Sequence, residues 1–241
     1  MFVKERTSLG QWTPPWCRCQ HERRYAWASQ KAVGRTVLDA ACANGYGAAV
    51  LGDHGASLVT AMDIAFAPLT ELAPRNNVKM ACGSVTNLPF ADHCFDLIVS
   101  FETIEHVDDD GAYVAEMRRV LVPGGVLICS TPNRLVNNPG RALSDVPFNP
   151  FHVREYSPAE FQSLLRTQFP LVTLFGQTAY REAYVNLLAW IGRRIPLAAV
   201  RLHQLRKLAG IAFERPGRHE PQPLPFRGAE PEALVAIAAV E

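Results

Sequence analysis

No apolar run in this 241-residue chain reaches the ~18 residues that a membrane span needs. The N-terminal stretch MFVKERTSLGQW also lacks the continuous apolar core of a secretory signal. An excess of charge is missing too: the formal net charge is only +1. Nothing therefore draws the chain electrostatically to nucleic acid or to an anionic membrane, and neither a DNA partner nor stable membrane insertion is expected. Cys17 and Cys19 have the spacing of half a metal site, but no second Cys/His pair of zinc-site spacing follows. Cys42, Cys82, Cys94 and Cys129 sit in or beside apolar runs, where a small buried thiol is the ordinary reading. There is no internal repeat. These absences leave the expectation of a soluble, reduced, cytoplasmic protein. With 48% apolar residues, the chain can build one sizeable core as a single domain over 1–241.

Short apolar strands recur along the chain: TVLDA, SLVTAMD, VKMAC, DLIVSF and GVLICS. Between them lie segments of helical or loop character, such as AAVLGDHG and AYVAEMRRVL. Strands that are apolar on both faces and alternate with helices indicate a doubly wound α/β fold with a parallel sheet buried on both sides. HERRYAWASQKAV reads as a helix on which Tyr25, Ala26, Ser29 and Ala32 share a face, part of an N-terminal cap over 1–34. The Pro- and Asn-rich stretch 131–156 reads as a loop over one end of the sheet. SPAEFQSLLRTQF carries a helix start, with Ser157 as N-cap, Pro158 as the first helical residue and Glu160 completing a capping box. LVTLFGQ and ALVAIAAVE are further strands. The insertion between them, 178–229, has a basic helical part (Arg193, Arg194, Arg201, Arg206, Lys207) and a last portion, RPGRHEPQPLPFRGAEP, too proline-rich for regular structure.

The segment DAACANGYG, residues 39–47, runs from the first strand toward a helix, where ligands bind in such sheets. A dinucleotide loop would carry G-x-G-x-x-G to cradle a pyrophosphate. Here the pattern is A-x-A-x-G-x-G behind Asp39, which suits a cationic ligand better than a phosphate. Ala41 and Ala43 are comfortable where φ is negative and strained where it is positive. An ammonium, a sulfonium and no phosphate describe S-adenosylmethionine.

With VLDAACANGYG as a first motif, the chain resembles class I S-adenosylmethionine-dependent methyltransferases, and the likeness runs over about residues 20–175. VTAMDIA, CGSVTNLPFADHCFDLIVSFETIEHV and MRRVLVPGGVLICSTPN resemble the later motifs in order. The resemblance implies a Rossmann-like, mostly parallel seven-stranded sheet with a helical insertion before the last strand. It also implies that Asp63 binds the ribose hydroxyls and that Ser84 and Val85 border the adenine, with Phe101 near the cofactor. The implied cofactor-contacting set is Tyr25, Asp39, Ala41, Ala43, Gly45, Asp63, Ile64, Ser84, Val85 and Phe101.

ETIEH, residues 102–106, is a second constellation. On a helical turn, Glu102, Glu105 and His106 would stand at i, i+3 and i+4 and face the same way. Two carboxylates and an imidazole together suit a divalent ion, with magnesium expected and manganese the alternative. The pattern resembles metal-using O-methyltransferases of the ubiquinone pathway and of small-RNA 3′ ends. In the latter a later histidine completes the site, and His152 in FHVREYSPAEF stands in a similar context. The expected metal set is Glu102, Glu105, His106 and His152, with His106, His152 and Glu102 assigned the catalytic work. Without a metal, His106 or His152 would act as general base.

HERRYAWA together with NPFHVREYSPAEF resembles methyltransferases of bacterial glycan biosynthesis, of the methylmannose polysaccharide type. That likeness puts His21, Arg24 and Tyr25 on a helix covering the cofactor and makes a sugar or oligosaccharide hydroxyl the expected acceptor. Two alternatives stand beside it: methylation of a catechol-like molecule or an RNA 2′-hydroxyl, and a non-catalytic cofactor-binding or partner-binding protein. The insertion could serve as a lid, as a contact for lipid or phosphate, or as a homodimer interface.

Overall fold

The computed structural model describes residues 15–65, 67, 73–195, 220–225 and 229–240. These form α1 (Pro15–Ser29), β1 (Thr36–Ala40), α2 (Tyr46–Asp53), β2 (Leu58–Asp63), β3 (Val78–Cys82), β4 (Phe95–Phe101) and α3 (Asp110–Val120). They continue with β5 (Leu121–Pro132), α4 (Arg134–Asn137), α5 (Pro158–Leu165), β6 (Leu171–Arg181), α6 (Glu182–Gly192), β7 (Gln222–Pro223) and β8 (Ala229–Ala239). One sheet holds every strand in the order β3-β2-β1-β4-β5-β8-β6-β7. β1 to β5 pair in parallel, and β8 runs antiparallel between β5 and β6. The expected seven strands are thus joined by an eighth, the two-residue β7 on the outer edge of β6. It forms within the proline-rich stretch expected to be irregular. Pro223 stands on an edge strand, where a missing N–H is tolerated. No helix among the described residues is long and apolar enough to cross a membrane.

Side-chain alternation assigns each strand residue to a layer. Leu38, Ile98, Leu127 and Cys129 join α3 and α5 through Tyr113, Met117, Phe161 and Leu165. Their neighbours Val37, Leu97, Val99 and Ile128 join α1 and α2 through Tyr25, Ala28, Ala48 and Leu51. Each such aliphatic side chain, fully buried, contributes about 1.5–3 kcal/mol. The capping box of α5 forms as its sequence predicts, with the Ser157 side chain accepting from the Glu160 N–H while the Glu160 carboxylate accepts from the Ser157 N–H.

Other local expectations need correction. The inner face of α1 is not the apolar set expected. Tyr25, Ser29 and Ala32 are buried as expected, but Ala26 is exposed, and Gln20, His21 and Arg24 are buried where no polar residues were expected. The 131–156 stretch is not all loop, because β5 runs on to Pro132 and α4 follows it. Of the cysteines expected inside, Cys42 and Cys129 are buried, Cys94 is intermediate and Cys82 is exposed. Arg201, Arg206 and Lys207 lie outside the described residues.

α1 is held across the carboxyl ends of the strands by polar contacts. Gln20 Nε2 donates to Thr178 Oγ1 at 2.9 Å and to Glu232 Oε2 at 3.2 Å. Arg24 pairs with Glu102, and the Tyr25 hydroxyl donates to Asp39 Oδ1 at 3.0 Å. The Tyr25 ring fills the space a side chain at position 47 would need: a Cβ on Gly47 would lie 2.0 Å from Tyr25 Cζ. Gly47→Ala should therefore lower stability by about 1–3 kcal/mol in denaturant melts. In the Tyr25→Ala background the same change should cost markedly less; equal costs in both backgrounds would disprove the contact.

Candidate functional site

The loop after β1 carries Ala41 at φ 61°, Ala43 at φ 52° and Gly45 at φ 77°. Both alanines therefore occupy the left-handed region where glycine is at ease, a strain the wider structure has to hold. Asp63, at the end of β2, helps to hold it. Its Oδ2 accepts from the Ala43 N–H at 2.9 Å and its Oδ1 from the Ala65 N–H at 2.9 Å. Ile64, 69% exposed, stands next to it as a bare apolar surface.

Asp39 shares its face of β1 with Val37 and so points under α1. It is fully buried, and Oδ2 has no hydrogen-bond partner among the described residues. Burial raises its pKa to about 7, the Tyr25 hydroxyl opposes the rise and the Asp63 carboxylate adds to it. A buried carboxyl oxygen without a donor fits a ligand that brings positive charge and N–H donors. Phe101 closes the other side, edge-on to Tyr25 at 4.9 Å between ring centroids. Ser84 Oγ is engaged with Thr86 Oγ1 at 2.9 Å. Val85 is buried with the α3–α5 layer. The residues expected at a cofactor site thus fall along the carboxyl ends of adjacent strands β1, β2 and β4 and in the turn after β3.

The ETIEH segment does not make the helical turn on which its spacing was read. Glu102 has φ 50°, and only Ile104–His106 wind, as a 3₁₀ turn. Glu102 consequently turns away to Arg24 and to the Ser130 hydroxyl, which donates at 2.8 Å. Burial opposes its charge, but Arg24, His21 and Ser130 together hold its carboxyl down at about 2. Beneath it, His21 is pushed down to about 3 by burial and by Arg24, with Glu102 opposing.

Glu105, His106 and His152 do come together. One ligand atom from each lies within 4.8 Å of the others, and Glu102 is not in this group. Glu105 is fully buried. Its Oε2 accepts from Thr131 Oγ1 at 3.0 Å, and its Oε1 has no hydrogen-bond partner among the described residues. Burial raises its pKa to about 8, with Glu102 adding and His152 opposing. The exposed His106 places Nδ1 2.9 Å from the Phe151 carbonyl oxygen, which leaves Nε2 to face outward. Its ring meets His152 edge-on at 4.8 Å between centroids. One carboxylate oxygen lacking a partner and two imidazoles fit a divalent cation by donor chemistry and spacing. Sequence reading missed Asn149 and Glu155, which flank His152 in space. Their only signal was the H-x-x-E spacing within FHVREY.

Residues 38–129 match the methyltransferase domain family. The chain is 41% identical over 153 residues to a "Probable S-adenosylmethionine-dependent methyltransferase" of Mycolicibacterium smegmatis, covering 63% of this chain and 58% of that one. It is 31% identical to the uncharacterised protein YafE of Escherichia coli, over 57% of this chain and 69% of that one. The chain belongs to the S-adenosylmethionine-dependent methyltransferases. A ubiquinone biosynthesis O-methyltransferase of Pseudomonas paraeruginosa is 31% identical over 119 residues, 46% of this chain and 51% of its own. The chain thus spans little more than half the length of the named methyltransferases it matches. A Burkholderia thailandensis 1,6-didemethyltoxoflavin-N1-methyltransferase, solved with S-adenosylhomocysteine, shares this methyltransferase fold at TM-score 0.54 and 19% identity, over 92% of this chain and 77% of its own.

Two outcomes follow from the loop. Ala43→Gly should raise stability by about 0.5–1 kcal/mol in thermal melts, since relief of the left-handed alanine exceeds glycine's added chain entropy; a loss of stability would contradict the strain. The raised Asp39 pKa means that the native state holds this proton more tightly than the unfolded chain does. That contribution is full below the unfolded value of 3.8 and is lost as pH rises through about 7. Asp39→Asn should therefore gain on the unmodified protein steadily across that window, and parallel pH–stability curves would refute the assignment.

Proposed function

We propose that this chain transfers the methyl group of S-adenosylmethionine to a hydroxyl, with a sugar or oligosaccharide as acceptor and a divalent metal, magnesium foremost, assisting. The observation that carries the reading is the Glu105–His106–His152 cluster. It stands just beyond β4, the strand beside β1, whose end carries the proposed cofactor loop. Asp39 and the loop backbone would receive the cationic amino-acid end of the cofactor, Asp63 the ribose diol and Ile64 one face of the adenine. Phe101 and Tyr25 exclude water from the space between loop and cluster.

A neutral hydroxyl is a weak nucleophile toward a sulfonium methyl. A divalent cation held by Glu105, His106 and His152 would supply Lewis acidity, lowering the acceptor's pKa and orienting adjacent hydroxyls. The chain's own residues then have three tasks. Glu105 presents charge from a fully buried position, the two imidazoles aim their ring nitrogens at the cation, and, where no cation is bound, His106 Nε2 would take the hydroxyl proton that otherwise passes to water. As the oxygen–methyl bond forms, the sulfur–methyl bond breaks, and S-adenosylhomocysteine leaves. Glu102 takes no ligand role here, because its carboxylate is paired with Arg24.

An oxygen acceptor is supported by the match to a ubiquinone biosynthesis O-methyltransferase. The saccharide class rests on the likeness of the N-terminal helix and the NPFHVREYSPAEF segment to glycan methyltransferases, and the near-neutral charge argues against RNA.

A radiolabelled methyl-transfer screen over saccharides, quinol precursors and RNA should show turnover on a saccharide that EDTA suppresses and Mg²⁺ restores. Glu105→Gln should reduce that rate by about 100-fold. Activity indifferent to both EDTA and Glu105→Gln would remove the metal from the reading. Failure of calorimetry to detect S-adenosylmethionine binding would leave a non-catalytic protein instead.

A further inference from the structure

His152 reaches the cluster from the loop before α5 with both ring nitrogens engaged. Nδ1 lies 2.6 Å from Glu155 Oε1. Glu155 is itself 3% exposed, and its Oε2 has no hydrogen-bond partner among the described residues. A carboxylate can only accept, so this contact places the imidazole proton on Nδ1 and the lone pair on Nε2. That lone pair faces Asn149, whose side-chain nitrogen donates to Nε2 at 2.9 Å. Asn149 is fixed in its turn, since its Oδ1 accepts from the Phe151 N–H at 3.1 Å and its backbone carbonyl from the His152 N–H at 3.1 Å. The carbonyl of Phe151 is the group that holds His106 Nδ1. One short stretch, residues 149–152, therefore orients both imidazoles of the cluster.

We infer that Glu155 is a positioning residue that holds His152 in its cation-binding tautomer, and that the Asn149 amide is a placeholder donor which yields Nε2 when a cation enters. A metal-ligating histidine is commonly steadied by a carboxylate on its other nitrogen, and here that carboxylate is buried and reserved for the purpose. The amide occupies Nε2 by donating a hydrogen bond, the one thing a cation cannot do, so the two compete for the same lone pair. The inference rests on the metal reading of Glu105, His106 and His152.

The test is Mn²⁺ binding to the full chain by electron paramagnetic resonance, beside calorimetry of S-adenosylhomocysteine. Glu155→Gln should weaken Mn²⁺ by about 10–100-fold while S-adenosylhomocysteine affinity stays within about twofold. Asn149→Asp keeps the Oδ1 acceptor for Phe151 but replaces the competing donor with an oxygen, and should tighten Mn²⁺ by about threefold or more. A purely structural role would weaken both ligands in both variants, and opposite signs would not arise from it. Unchanged Mn²⁺ affinity in Glu155→Gln, or no tightening in Asn149→Asp, overturns the inference and leaves the metal site standing. If Glu155→Gln fails to fold, Asn149→Asp decides alone. Absence of Mn²⁺ binding to the unmodified protein instead overturns the metal reading itself.

Discussion

The ion pair between Arg24 and Glu102 is the contact on which the closed end of the sheet depends. Arg24 is 1% exposed, and a guanidinium buried so completely is untenable without an anion. A buried pair of this kind adds little net stability, yet removing one partner typically costs about 3–5 kcal/mol, because the other is left as a bare charge. The pair thus acts as a requirement: α1 can sit where it does only if the strand end at Glu102 is shaped to meet it. Once α1 is seated, Tyr25 reaches Asp39 and Gln20 reaches Thr178, itself held at φ 55°. Non-glycine residues in left-handed conformation persist where surrounding contacts over-determine them. Here Glu102 and Thr178 are gripped directly from α1, and the Ala41–Ala43 loop is held through Asp39 and Asp63.

Three carboxyls at this end, Asp39 and Glu105 fully buried and Glu102 half-buried, meet different fates. Burial raises Asp39 with no basic side chain opposing it, and raises Glu105 against a weaker pull from His152. Glu102, with Arg24 beside it, is held low. The protein thus gives a guanidinium partner to one acid and none to the other two, and those two stay raised.

Much of this was legible in the sequence, and the misses have definite causes. TVLDA and VKMAC are strands because apolar, β-branched runs bounded by turn residues leave little alternative, and Ser157–Glu160 caps α5 because capping is local chemistry. The seating of α1 was not legible. Hydrophobic periodicity identifies helix faces that pack through apolar contact, and this one packs through Gln20, His21 and Arg24. ETIEH misled because i, i+3, i+4 reasoning presumes a continuous helix, and the left-handed Glu102 interrupts it. The three residues that do converge include His152, whose approach to Glu105 depends on the fold of a loop. Glu155 and Asn149 stayed hidden because their meaning lies in which nitrogen each faces.

β8 runs against both of the strands it lies between, β5 and β6. Its first residues therefore arrive where the other strands finish, and Glu230 and Glu232 lie beside Asn133 and Gln20. A chain segment inserted before β8 is delivered to the carboxyl ends of the parallel strands without a crossover. Such a segment can lengthen, shorten or change composition while every hydrogen-bonded pair of the parallel sheet stays in register. The fold thus leaves one place at the carboxyl ends of the parallel strands where the chain can vary while the pairings of β1 to β5 stay as they are.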